Sequence, residues 1–404
     1  MPDADRQTAG GPILLAVVGS ASAGLAARAA EVEALARARF PGREVVACVT
    51  GDAGTGLVPH GEAGAGSPGT DRGGRVDTVA GGIPGPASPL GALLREADRR
   101  AAPALALVAG QPREDGIDWL GALLAPIVEE RFDFVCPAYR RHPAEGALTT
   151  AIVHPLMRMA FGRDLRQPLG GEAALSPAFA RRLLADPDWR RDPVHAGSDA
   201  WLVAKALTGE ERLCQAWLGP RPRATADPEE PSETLVRALG LVFRELERHA
   251  PRWQRAGPPR PVPTFGDGGF LPGDGPRLPA ERYARALQLG QRELGEVWGL
   301  VLSPSTRLAI ARAAAADPVA LDDPLWARIV CDFAVAHMAR VVEPGQLLRS
   351  LTPLYLGWLA GFARELDRSG VAGAEARIGA ICAAYDGERH HLVARWRWPD
   401  GFTP

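Results

Sequence analysis

Lysine is almost absent. Lys205 is the only one in 404 residues, and arginine carries the rest of the positive charge. Together with abundant alanine, glycine and proline this marks a compositional bias, so clustered arginine by itself says little about phosphate binding. Neither sign of charge is in excess: the formal net charge is −2, which excludes a broad electrostatic attraction to nucleic acid or to an anionic membrane. The five cysteines (48, 136, 214, 331 and 382) are scattered and lack CxxC spacing, which argues against a disulfide framework and a zinc site. They read as small buried apolar residues in a reducing compartment. No apolar run approaches the roughly 20 residues of a membrane span, and the N-terminus lacks the basic-then-apolar pattern of a signal peptide. A cytoplasmic protein is expected.

The length allows two domains with sizeable cores. Residues 1–11 read as a disordered tail. Apolar runs at Ile13–Val18, Glu44–Val49, Ala104–Val108 and Phe132–Pro137 alternate with helical patterns at Leu25–Ala36, Leu90–Arg100 and Ile117–Glu130. Strands apolar on both faces, separated by helices, predict an α/β domain with a parallel sheet covered on both sides. Residues 53–90 are too rich in Gly and Pro to bury much surface and read as a loop. From about Thr234 helical periodicity takes over: Leu235–Arg248, Ala280–Val301, Pro324–Val342, Gly345–Asp367 and Ala372–Arg397. The expected division is an α/β domain over 12–233 and a helical C-terminal domain over 234–404. The tryptophans at 298, 326, 358, 396 and 398 read as helix-packing core, and His390-His391 as a solvated helix face.

The chemically informative stretch runs from Tyr139 to Asp199. It holds Tyr139-Arg140-Arg141-His142, Leu148-Thr149-Thr150, Arg166-Gln167-Pro168-Leu169-Gly170-Gly171-Glu172 and Gly197-Ser198-Asp199. Paired glycines before an acid let backbone approach a ligand while the carboxylate reaches hydroxyl groups. Gln and Arg nearby can donate to hydroxyl or phosphate oxygens. Read from the residues alone, this is either a polyol or phosphate site or a structural turn.

The stretch resembles the glycosyltransferases that include the glucosyl-3-phosphoglycerate and mannosylglycerate synthases and related bacterial family 2-like enzymes. Their pattern is a strand ending in Tyr and basic residues, then "QPxGGE/D", then Gly-x-Asp before a helix. Ser232–Trp253, Asp323-Pro324-Leu325-Trp326-Ala327 and Leu351–Gly357 resemble the helical region that follows in the bacterial family. The resemblance implies a GT-A fold, in which a Rossmann-like sheet binds a nucleotide-diphosphate sugar, followed by a helical domain. It implies transfer of a hexose to a small polar acceptor, phosphorylated or not. It places Asp199 and Glu172 at the acceptor or transferred sugar as catalytic candidates. Asp52, Gly19, Gly170 and Gly171 fall at the donor nucleotide, and Arg140, His142, Thr149, Arg166 and Gln167 at the acceptor or phosphate. Four of these have bland readings beside the functional one: Asp52 as a turn residue, Glu172 as a surface turn, Asp199 as a helix cap and His142 as an exposed loop histidine. The implied partners are nucleotide sugar and acceptor, not nucleic acid, and a homo-oligomer is admitted.

The implied cofactor is Mg or Mn, held by an Asp-x-Asp after the third strand and a later His. Here Ala109-Gly110-Gln111 stands at the acid pair and Ala226 at the His. Val18–Ser22 replaces the family's first-strand motif, and Pro89-Leu90-Gly91 replaces a lysine. Glu114, Asp115 and Asp118 read as a solvated helix start. Two alternatives stand beside a metal-dependent enzyme: an inactive paralogue with a binding or regulatory role, and transfer without metal, with Arg140, Arg141 or Arg166 in the cation's place.

Overall fold

The structure is a computed structural model. It describes all residues except 1–10, 20–23, 52–57, 60–88, 112, 114–116, 222–230, 274 and 400–404. Two compact units emerge from the chain, one comprising Met1–Tyr139, Gln167–Ala226 and Val262–Gly268, the other Arg140–Arg166, Asp227–Pro261 and Gly269–Pro404. The expected tail and most of the expected Gly/Pro loop lie outside the described residues.

The first unit is built on an eight-stranded sheet: β1 (Ile13–Gly19), β2 (Val45–Gly51), β3 (Val58–Pro59), β4 (Leu105–Ala109), β5 (Phe134–Arg140), β6 (Ala173–Leu175), β7 (Leu213–Pro220) and β8 (Thr264–Phe265). The spatial order is β8-β7-β5-β6-β4-β1-β2-β3. β1 pairs in parallel with both β2 and β4, and β6 runs antiparallel to both β4 and β5, so the sheet is mostly parallel, as the apolar runs predict. Its strands are buried because helices cover them: Ile13–Val17 and Ala104–Leu107 are almost wholly inaccessible. Helices α1 (Gly24–Arg39), α2 (Pro89–Arg100) and α3 (Trp119–Val128) connect the strands, and α4 (Pro177–Leu184) and α5 (Asp199–Thr208) follow β6. Asp118 caps α3, its carboxylate accepting from Gly121 N–H at 2.8 Å, which fits the reading of an acid at a helix start.

The second unit is helical among its described residues, apart from the two-residue pair of Arg163–Asp164 with Arg260–Pro261. Its longest helices are Pro231–Arg248, Asp323–Ala339, Pro344–Ser369 and Ala374–Arg397. Four sequence expectations need correction. The single helix expected over 280–301 is two, Ala280–Glu293 and Gly295–Val301, broken at Leu294. A helix at Pro304–Ala315 escaped the periodicity, although Ser303-Pro304 carries a start signal: the Ser303 hydroxyl accepts from Thr306 N–H, and proline sits at the first helical position. Trp298, Trp326, Trp358 and Trp396 are buried as expected, but Trp398 is 74% exposed, because it follows the end of the last helix rather than facing its neighbours. His390 is exposed. His391 is half-buried, with Nε2 2.7 Å from a carboxylate oxygen of Asp332, so the solvated-face reading holds for the first of the pair alone.

Burial here has a titration consequence. His337, buried near the end of Asp323–Ala339, has its ring edge-on to Phe243. Burial, with Arg340 and Arg244 nearby, pushes its imidazole down to about 4. The unfolded chain therefore binds more protons between the ordinary histidine value near 6.5 and pH 4, and stability is complete above that range and declines as pH falls through it, by at most about 1.4 kcal/mol per pH unit. Thermal denaturation followed from pH 7 to pH 4 should show that decline, and His337→Gln should flatten it. An unchanged slope in the variant would remove His337 as the cause.

Candidate functional site

In open α/β sheets, ligands bind beyond the carboxyl ends of the strands where the strand order reverses. Here that reversal is at β1: the chain passes through α1 to β2 on one side and later returns to β4 on the other. Gly19 ends β1 in register with Gly51, and Gly110 N–H donates to the Val18 carbonyl at 2.8 Å. Because β6 is antiparallel to β4 and β5, the residues just before it lie on the same carboxyl edge as Ala109 and Tyr139. That geometry delivers the Gly170-Gly171-Glu172 segment to the switch point.

Each residue of the segment has a local reason for its identity. A Cβ at Gly170 would lie 2.3 Å from Pro137 Cγ, so only glycine lets the segment pass β5. Gly171 adopts φ +82°, which favours glycine. Glu172 is 4% exposed, which overturns its reading as a surface turn. One carboxylate oxygen accepts from Ala109 N–H at 2.9 Å; the other accepts from the Tyr139 hydroxyl at 2.6 Å and pairs with the Arg113 guanidinium. Arg113 also donates to the Leu218 carbonyl of β7 and lies 4.2 Å from the Trp119 ring centroid and 5.4 Å from that of Tyr139. Glu172, Arg113 and Tyr139 thus tie together the carboxyl ends of β4, β5 and β7. Burial, and then the neighbouring carboxylate, push the Tyr139 phenol well above its ordinary range, so it stays a neutral donor.

Asp199 faces this cluster differently. It is the first residue of α5, but Ser198 is the cap, its hydroxyl accepting from Trp201 N–H. The cap reading of Asp199 is therefore replaced. Its side chain is open to solvent, although nearby protein crowds and desolvates its carboxyl. Desolvation raises its carboxyl above the ordinary range, against the opposing pull of Arg221 and of the Gly171 N–H that it accepts from. Arg221 is exposed just past β7, with its guanidinium 5.6 Å from the Tyr139 ring centroid. An accessible carboxylate on a left-handed glycine turn can hold a hydroxyl group and, when ionised, accept its proton.

Gln167 supports the cluster from behind. Its buried amide accepts from Tyr139 N–H at 3.2 Å and donates to the Tyr139 carbonyl at 2.8 Å, pinning the end of β5. The other expected acceptor-side residues fall in the second unit. Arg166 pairs with both carboxylate oxygens of Glu375 at 3.1 Å, so its charge is compensated internally. His142 Nδ1 accepts from Ala144 N–H at 3.2 Å, and the ring lines a cavity of about 360 Å³ together with Arg277 and Asp367. Thr149 opens a π-helical turn over Thr149–Val153, and Arg140, at the end of β5, is half-buried. Asp52, Glu114, Asp115 and Ala226 lie outside the described residues. Sequence reasoning missed Arg113 and Arg221 as site residues and gave Tyr139 no role. The uniform abundance of arginine hid the first two, and Tyr139 was legible only as part of a motif.

Among the described residues no group of three or more His, Cys, Asp or Glu converges that could hold a metal ion. The end of β4 carries no acid, and the carboxylate that reaches it, Glu172, already spends both oxygens on Ala109, Tyr139 and Arg113. Among the described residues no helix is long and apolar enough to cross a membrane.

No protein-family model matches the chain, and no curated protein does. Among solved structures, the chain is similar to glucosyl-3-phosphoglycerate synthase from Mycobacterium tuberculosis, in complex with Mn2+, uridine diphosphate and glucosyl-3-phosphoglycerate, at 15% identity and a TM-score of 0.31, over 65% of this chain and 84% of that one.

Proposed function

We propose that the first unit is a GT-A-type glycosyltransferase domain that binds a nucleotide-diphosphate sugar at the carboxyl edge of its sheet and passes a hexose to a small polar acceptor. The observation that carries this reading is the setting of Asp199: open to solvent, crowded by protein, held by the Gly171 turn beside the switch point of a mostly parallel sheet. In this reading Asp199 orients or deprotonates the acceptor hydroxyl. Glu172 is a positioning residue, since its oxygens are taken by Ala109, Tyr139 and Arg113. Gly170 and Gly171 shape the approach of the ligand, and the reading places the enzyme in the cytoplasm.

A second reading, a binding protein that has lost transfer, is favoured by one observation: among the described residues no carboxylate stands free at the end of β4. Titration with UDP- and GDP-sugars followed by a transfer assay against small hydroxy-acids and their phosphates separates the two. The enzyme reading expects affinities of roughly 1 μM to 1 mM, as is usual for enzyme substrates, together with release of the nucleoside diphosphate on transfer. Binding without turnover would favour the second reading, and no binding of either nucleotide sugar would overturn both.

A further inference from the structure

We propose that two guanidinium groups, those of Arg113 and Arg221 on the Tyr139 ring, take the part of a divalent cation, so that the diphosphate ligand binds this chain without metal. The inference rests on the nucleotide-sugar reading above. Three observations carry it. First, the position at the end of β4 from which a metal-binding acid would project is Ala109-Gly110-Gln111, and among the described residues the carboxylate that reaches this strand end, Glu172, is neutralised by Arg113. Second, the Arg113 side chain is 5% exposed, and its buried Nε–H finds no acceptor among the described residues. A buried donor without a partner is unfavourable, and a phosphate oxygen that reached it would satisfy it. Third, Arg221 is exposed on the same ring, close enough to Asp199 to oppose the rise of its carboxyl. A guanidinium there can pair bidentately with phosphate oxygens without surrendering a structural partner.

The choice of arginines matters in a chain where arginine is everywhere. Arg166, a candidate from the sequence, belongs to the second unit, where it pairs with Glu375. Arg113 and Arg221 belong to the unit that holds the switch point, and both lie against Tyr139. Glu172 holds Arg113 in place as a metal's carboxylate ligand would hold the ion.

The test uses the full chain and calorimetric titration with UDP, GDP and uridine, in EDTA and again in excess MnCl2. The inference expects the tighter-binding diphosphate to bind equally in EDTA and manganese, within about twofold, and more tightly than the same nucleoside without phosphate. Arg221→Ala, a change at an exposed residue, should weaken diphosphate binding roughly tenfold or more while leaving nucleoside binding unchanged. Arg113→Lys, which keeps the charge but loses Nε–H and the fork, should also weaken it. Diphosphate binding that appears only with manganese would overturn the arginine role and leave the nucleotide-sugar reading standing. So would binding indifferent to Arg221→Ala. Failure of both diphosphates to bind with and without manganese would bring down the reading itself and this inference with it.

Discussion

Glu172→Ala is expected to destabilise the first unit by about 3–5 kcal/mol, the cost typical of removing one partner from a buried ion pair. The alanine would leave the Arg113 guanidinium nine-tenths buried without its counter-charge, and the Tyr139 hydroxyl and Ala109 N–H without their acceptor. The loss should exceed that of Glu172→Gln, whose side-chain oxygen can still accept from Ala109 or Tyr139 although the charge is gone. The double variant Arg113→Met, Glu172→Leu should recover much of it, because replacing a whole buried pair by apolar groups of similar volume is often neutral. Chemical denaturation followed by tryptophan fluorescence would measure this, since Trp119 lies against Arg113. A loss below about 1 kcal/mol for Glu172→Ala, within the range of exposed pairs, would show that Glu172 is not the tie between the strand ends.

Asp199→Asn is expected to reduce hexose transfer by roughly 10²–10⁴-fold, the usual contribution of a positioned acid or base, while donor binding changes little. The fold should tolerate it. Ser198, not Asp199, caps α5, and loss of one negative charge in the first helical turn costs roughly 0.3–1 kcal/mol. The pH profile gives a second readout. Desolvation raises the Asp199 carboxyl, and in the proposed function its active form is the carboxylate, so kcat/KM should fall as pH drops through a value above that of an ordinary aspartate. That acid limb should vanish from the residual activity of Asp199→Asn. Transfer at the wild-type rate in the variant would exclude Asp199 as the acceptor-side base, and an acid limb that persists would belong to another group.

Much of the architecture is legible before any coordinates. The runs at Ile13–Val18 and Ala104–Val108 are apolar throughout because both faces of those strands are covered, and they fall in the centre of the sheet. The helix ends are written in short-range chemistry, as at Ser198 and Asp118, where a side-chain oxygen meets an N–H three residues on. Local rules also explain what they miss. The periodicity of 280–301 runs unbroken through Leu294, yet the helix stops there. Trp398 follows four tryptophans that are core and is itself exposed, because its helix has ended.

The candidate site divides along the same line. The amino-acid sequence alone determined that the Gly170-Gly171-Glu172 segment and Asp199 would be special and that no acid pair stands at Ala109-Gly110-Gln111; that glycine is required there because the backbone turns left-handed and presses on Pro137 came from the structure. Only the tertiary structure decided what the acids do. Glu172 meets Arg113 across 59 residues and Ala109 across 63, contacts created by inserting β6 between β4 and β5. Asp199 is left open because its neighbour Ser198 does the capping and because the Gly171 turn is brought beside it. Capping and periodicity act over one helical turn. The partners of a buried charge are set by the order of strands in the sheet, and the state of a carboxylate follows from which partners it finds there.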